Sequence, residues 1–159
     1  MGHEIQGIVF RKDLVAKARQ LIPRGTCVSL AKDLCFVPVT DKRLSASVER
    51  VAIELSRGGA VAYVETEYHG GTGAQSSVVW RNGAVTLPAR TAEVGPINEA
   101  LVLLGVNRQD SQDEFDTVGL GRYRSNDDWV HHAPRARAGL RGFFLLAGPL
   151  GRLLGRGLV

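Results

Sequence analysis

The residue types and spacing that most invite chemistry run from Tyr63 to Gln75, in YVETEYHGGTGAQ. Side chains alternate along a β-strand, so Tyr63, Glu65 and Glu67 share one face while Val64, Thr66 and Tyr68 share the other. Two carboxylates then stand roughly 6 to 7 Å apart along the backbone, with His69 at the strand end. Such a set can hold a divalent cation through oxygen ligands or work as an acid and base pair. The competing reading is the solvated face of an antiparallel sheet, where polar residues are ordinary. Gly70, Gly71 and Gly73 lie within four residues, more than a simple tight hairpin needs. A loop over 70–75 would expose backbone N–H groups and Gln75 to a ligand. It lacks the GxxxxGKST and GxGxxG spacings, and a strand-like run follows it, so no helix N-terminus stands ready for an anion. A connection rich in left-handed residues is the alternative.

Other chemistry is thinner. Ser76 and Ser77 lie near His69, yet no GxSxG elbow is present. Cys27 and Cys35 form no CxxC pair and have no partners to complete a zinc site, so they read as buried free thiols. Neither a metal site nor a cofactor is expected. Between Asp110 and Trp129 the chain concentrates Asp110, Asp113, Glu114, Asp116, Asp127 and Asp128 among aromatic and basic residues. The sixth-position glycine and twelfth-position glutamate of a calcium loop are out of register. The segment therefore reads as a solvated loop or as a partner-binding surface anchored by Phe115, Arg122, Tyr123 and Trp129.

The 159 residues, 44% of them hydrophobic, are enough to bury one core without staples. The net charge of +4 is local. Residues 1–130 hold 15 basic and 16 acidic side chains, whereas 131–159 hold five arginines and no acid. A neutral body predicts no nucleic-acid partner. The first ten residues lack a secretory n-region and apolar h-region, which places the chain in the cytoplasm, and no run approaches a membrane span. The expected layout is one domain over 1–130 followed by an Arg/Gly/Leu-rich tail over 131–159. That tail is either loosely structured or packed on the body, with Phe143 to Leu146 as a conceivable peripheral membrane contact.

The elements that must position these residues follow from periodicity. Glu4 to Arg11 reads as a first strand, and Leu14, Val15, Ala18 and Leu21 form one helical stripe ended by Pro23 and Gly25. Cys27 to Leu30 and Leu34 to Val39 are β-rich, with Pro38 confining the second to an edge or a strand end. Leu44, Val48, Val51 and Leu55 recur at helical spacing, with Thr40 as N-cap and Gly58-Gly59 as stop. Ala60 to Tyr68, Ser76 to Arg81 and Ala84 to Leu87 form a meander, the last turn being Asn82-Gly83 of type I′. Pro96 opens a third helix through Ile97, Leu101 and Leu104, and Gly105 closes it. Gln109 to Trp129 reads as irregular. The order is not a regular βαβ alternation, so the expected fold is α+β: a mixed or antiparallel sheet with about three helices packed on it, in a single domain.

YVETEYHGGTGAQSSVVW, INEALVLLGV and DEFDTVGLGRYRSNDDW together resemble a group of small uncharacterised bacterial proteins with a YxExEYxGGxGxQ-like core. The resemblance spans most of residues 3–129. It implies a bacterial source and one compact domain, and it assigns no activity and no catalytic residue. In function, the chain is expected to be a non-enzymatic cytoplasmic protein that binds another protein, of an immunity or accessory type. The alternative is an enzyme or a small-ligand or metal binder built on Glu65, Glu67 and His69 beside the glycine loop.

Overall fold

The computed structural model describes residues 2–137. Its frame is a six-stranded antiparallel sheet in the order β2-β3-β1-β4-β5-β6. The strands are β1 (His3–Arg11), β2 (Val28–Ser29), β3 (Leu34–Pro38), β4 (Val61–His69), β5 (Thr72–Arg81) and β6 (Ala84–Ala92). Among the described residues five α-helices accompany them: α1 (Val15–Leu21), α2 (Lys42–Leu55), α3 (Pro96–Leu103), α4 (Glu114–Val118) and α5 (Asn126–His132). The class is α+β, as expected.

Helices cover both faces of the central strands, and the alternation of β1 shows why. Ile5 and Val9 face one apolar cluster with α3, α4 and Trp129, while Ile8 and Phe10 face a second with α1 and α2. A strand buried on both sides reads as a nearly continuous apolar run, as in IVF at 8–10. Gly7 sits among these residues because a Cβ there would stand 2.3 Å from the Val37 carbonyl oxygen and 2.5 Å from the Phe36 ring. β3 and β4 flank β1 on opposite sides and α2 makes the crossover between them. Pro38 ends β3, an interior strand, where its missing N–H interrupts no ladder.

The amphipathic reading of α2 holds, with Leu44, Val51 and Leu55 buried. Its N-cap is Asp41, one residue beyond Thr40, and the Asp41 carboxylate accepts from the Leu44 N–H at 2.8 Å. The stretch from Gln109 to Trp129 departs from expectation because it contains α4 and the start of α5. Both helices are too short to show a hydrophobic period, and each is started by a side-chain cap: Asp113 accepts from Asp116 N–H and Ser125 from Asp128 N–H. The body also runs past 130. Ser29 N–H donates to the Pro134 carbonyl, Ala136 N–H to that of Cys27, and Ala136 is fully buried. The expectations for the rest of the tail, including the Phe143 to Leu146 contact, lie outside the described residues. Among the described residues no helix is long and apolar enough to cross a membrane.

Candidate functional site

The carboxylates of β4 are placed by its pairing with β1. In that register Glu4 lies opposite Glu67, Gln6 opposite Glu65 and Ile8 opposite Tyr63. These side chains share the face that α1 and α2 cover, but α2 reaches only the half of it built on Ile8, Phe10, Val61 and Trp80. Beyond that half the face is open: Glu4, Glu67 and His69 are exposed, and Gln6, Glu65 and Ser76 are half-buried. Tyr63 marks the border. Its hydroxyl donates to Glu65 Oε2 at 3.1 Å, and burial, reinforced by the Glu65 carboxylate, pushes the phenol well above its usual range. Tyr63 therefore keeps its proton and serves as a donor, not as a base.

Alternation sends the intervening residues into the other core. Thr66 is 1% exposed, its hydroxyl 2.8 Å from His3 Nδ1. Gln75, paired with Thr66 across the hairpin, also faces that way. Its Oε1 accepts from the Ile97 N–H at 2.8 Å and its Nε2 donates to the Tyr68 hydroxyl at 3.2 Å. Gly95, the N-cap of α3, has no side chain to offer, so Gln75 satisfies one of the helix's free N–H groups. Glu65, Glu67 and His69 thus occupy one side of the sheet and Gln75 the other.

The expected loop over 70–75 is a two-residue turn. Gly70 and Gly71 have φ of +61° and +81°, and His69 pairs directly with Thr72, so the hairpin is tight after all. Gly73 belongs to β5, opposite Tyr68. Two glycines meet the positive φ of a type I′ turn, and the third answers a different need: a Cβ at Gly73 would fall 1.9 Å from the Glu67 carbonyl oxygen. No cradle of free N–H groups results.

The aromatic segment is mostly structural. Trp129 is 1% exposed and takes edge contacts from Phe36 and Tyr123, at centroid distances of 5.4 and 4.8 Å. It is a core side chain, not a surface anchor. Phe115 packs against the same cluster and lies edge-on to His3 at 5.8 Å. Tyr123 and Phe115 are both half-buried, and exposed Arg122 stands above the Tyr123 ring at 5.7 Å, so of the four only Trp129 is withdrawn from solvent. Burial raises the thiol of Cys27 and pushes that of Cys35 up to about 12, so neither is a nucleophile. No group of three or more His, Cys, Asp or Glu among the described residues is arranged to hold a metal ion.

No family model, curated protein or solved structure matches the chain.

What the geometry adds to the candidate residues is Glu4 and Gln6. Their partners lie some sixty positions away, and pairing at that separation leaves no local signal. Two carboxylates directly opposite on adjacent strands repel, and among the described residues neither Glu4 nor Glu67 has a salt-bridge partner. Among the described residues the result is an acidic patch of Glu4, Glu65 and Glu67, without a salt-bridge partner, on the more exposed half of that sheet face.

Proposed function

We propose that this is a non-enzymatic binding protein, of an immunity or accessory type, whose acidic sheet face docks on a partner protein bearing lysine or arginine side chains. The single observation that carries the reading is the register Glu4↔Glu67 beside Glu65, with no internal counter-ion among the described residues. Opposed like charges cost stability on their own, and basic side chains from outside turn that cost into attraction. An extended polar face also suits a protein surface better than a small substrate, which needs concavity. The enzyme alternative loses support because Glu65, Glu67 and His69 share an open surface and Gln75 lies behind the sheet. A bacterial source rests on the resemblance of the YVETEYHGGTGAQ core.

The test is recovery of the native complex over a salt series, with wild type and a Glu4→Gln/Glu65→Gln/Glu67→Gln variant in parallel. The reading expects a basic partner that is released as salt shortens the screening length below about 5 Å, and that is lost from the triple variant while its melting temperature holds or rises. A lone monomer at every salt concentration, or a partner held equally well by the triple variant, contradicts it.

A further inference from the structure

The opposite end of the sheet carries the reverse charge. There β1 ends in Arg11, β5 ends in Arg81, and Arg57 follows α2; all three line one cleft of about 480 Å3, together with Gly59, Asn82 and Gly105 and with no carboxylate among the lining residues. The arginines come from three separate elements, so this is a convergence in space and not a run in sequence.

Each guanidinium is held by one contact and retains most of its donors. Arg11 donates to the Leu104 carbonyl and Arg81 to the Leu103 carbonyl, both at 3.3 Å, at the C-terminal end of α3. Arg57 bonds Glu54 at 2.9 Å in a pair whose side chains are 60% and 47% exposed, an arrangement that contributes little and exchanges readily. Two positive-φ glycines make room: a Cβ at Gly105 would stand 3.3 Å from an Arg11 nitrogen, and one at Gly83 would stand 3.5 Å from Arg57 Cζ. Capping α3 explains part of this, since a helix C-terminus carries about half a unit of negative charge. It does not explain three cations around one opening. A second cleft of about 610 Å3, near Arg24, Lys42 and Arg43, differs because Asp41 lines it and already caps α2.

We infer that the Arg11, Arg57 and Arg81 cleft binds a small phosphate-bearing anion. Guanidinium forks match phosphate oxygens in geometry and charge, and three of them around one cleft offer more donors than a single phosphate oxygen needs. The ligand is a small molecule, not a nucleic acid, because the cleft is local and residues 1–130 carry no net basic surface for a polyanion to follow. The site lies at the opposite strand ends from the acidic face and stands or falls independently of it.

Calorimetric titration of the full chain with inorganic phosphate, pyrophosphate and a phosphate monoester tests the inference, with chloride at equal ionic strength as the control. The expected result is saturable one-site binding that Arg57→Gln weakens by roughly tenfold or more and that Arg24→Gln leaves unchanged. Arg57 bonds no backbone group, so its variant remains readable if Arg11→Gln or Arg81→Gln, which release the end of α3, fail to fold. A monoester that binds more tightly than free phosphate assigns an esterified metabolite, and equal affinities assign phosphate itself. Absence of saturable binding, heats reproduced by chloride, undiminished binding by Arg57→Gln, or a short RNA that binds more tightly than every small phosphate overturns it.

Discussion

Replacing Gly73 with alanine should destabilise the protein far more than the same change at Gly71, although only Gly71 has a positive φ. At Gly71, φ is +81° and nothing lies within 4 Å of a built Cβ, so strain is the whole penalty. A left-handed residue with a Cβ costs roughly 1–2 kcal/mol. At Gly73 the new methyl meets the Glu67 carbonyl oxygen at 1.9 Å and Tyr68 Cα at 2.7 Å, both backbone atoms of the paired strand. No rotamer can relieve that contact, so β4 and β5 must part by more than an ångström. Overpacking of this kind costs about 1–3 kcal/mol, and a lost ladder hydrogen bond adds about 1 more. For a domain of this size the loss corresponds to a melting temperature lower by roughly 10 °C for Gly73→Ala, against about 3–6 °C for Gly71→Ala. Gly70→Asn is the internal control. Asn82-Gly83, with φ of 53° and 78°, forms the equivalent turn between β5 and β6, so Asn-Gly at 70–71 should be close to neutral. Thermal and urea melts of the three variants decide, the urea slope reporting whether the denatured state has changed. A Gly73→Ala variant no less stable than Gly71→Ala, or a Gly70→Asn variant that loses as much as either, would refute the assigned hairpin register.

Three further outcomes follow from the same geometry. Glu67→Gln relieves the opposition to Glu4 and should stabilise the free protein by roughly 0.2–1 kcal/mol in low salt, with the gain shrinking as salt is added; a loss of stability in the melt would mean that Glu67 has a stabilising partner. Trp129→Ala removes a side chain 1% exposed from between Phe36 and Tyr123 and should cost about 3–5 kcal/mol by urea denaturation, whereas a surface anchor would cost almost nothing. His3 is held below its usual 6.5, first by burial and then by Arg124, while backbone carbonyls of Leu120 and Tyr123 oppose the shift. The unfolded chain takes up a proton at His3 before the folded one does, so this contribution to stability is complete above pH 6.5 and is lost as the pH falls from there toward the lower folded value. His3→Gln should flatten the pH dependence of the melting temperature in that window, and an unchanged slope would remove His3 as its source.

Much of the architecture is visible in local patterns. Leu44, Val51 and Leu55 repeat because α2 buries one stripe, Pro96 and Gly105 bracket α3 because each backbone position suits that residue, and Asn82-Gly83 marks a turn that demands two positive φ angles. These features depend on interactions within a few residues, so the sequence displays them. The helices α4 and α5 carry no such period over five and seven residues, and their legible signals were the caps, Asp113 before Asp116 and Ser125 before Asp128.

The candidate site divides along the same line. Alternation alone places Glu65 and Glu67 together, and it equally separates Gln75 from them once β5 is known to begin at Thr72. That start was obscured because Gly73 looks like part of a loop, whereas its lack of a side chain serves close strand packing. Glu4 opposite Glu67 and the meeting of Arg11, Arg57 and Arg81 arise only from long-range pairing and packing. Neither follows from spacing in one sequence.

The most direct measurement of the central claim is backbone amide hydrogen exchange on the protein alone and in complex with its partner. Binding through the acidic sheet face predicts added protection at residues 4–6, 65–69 and 74–76, with none beyond the free protein's level around Arg122 and Tyr123. Protection confined to the segment between Asp110 and His132, or to α3, would contradict it.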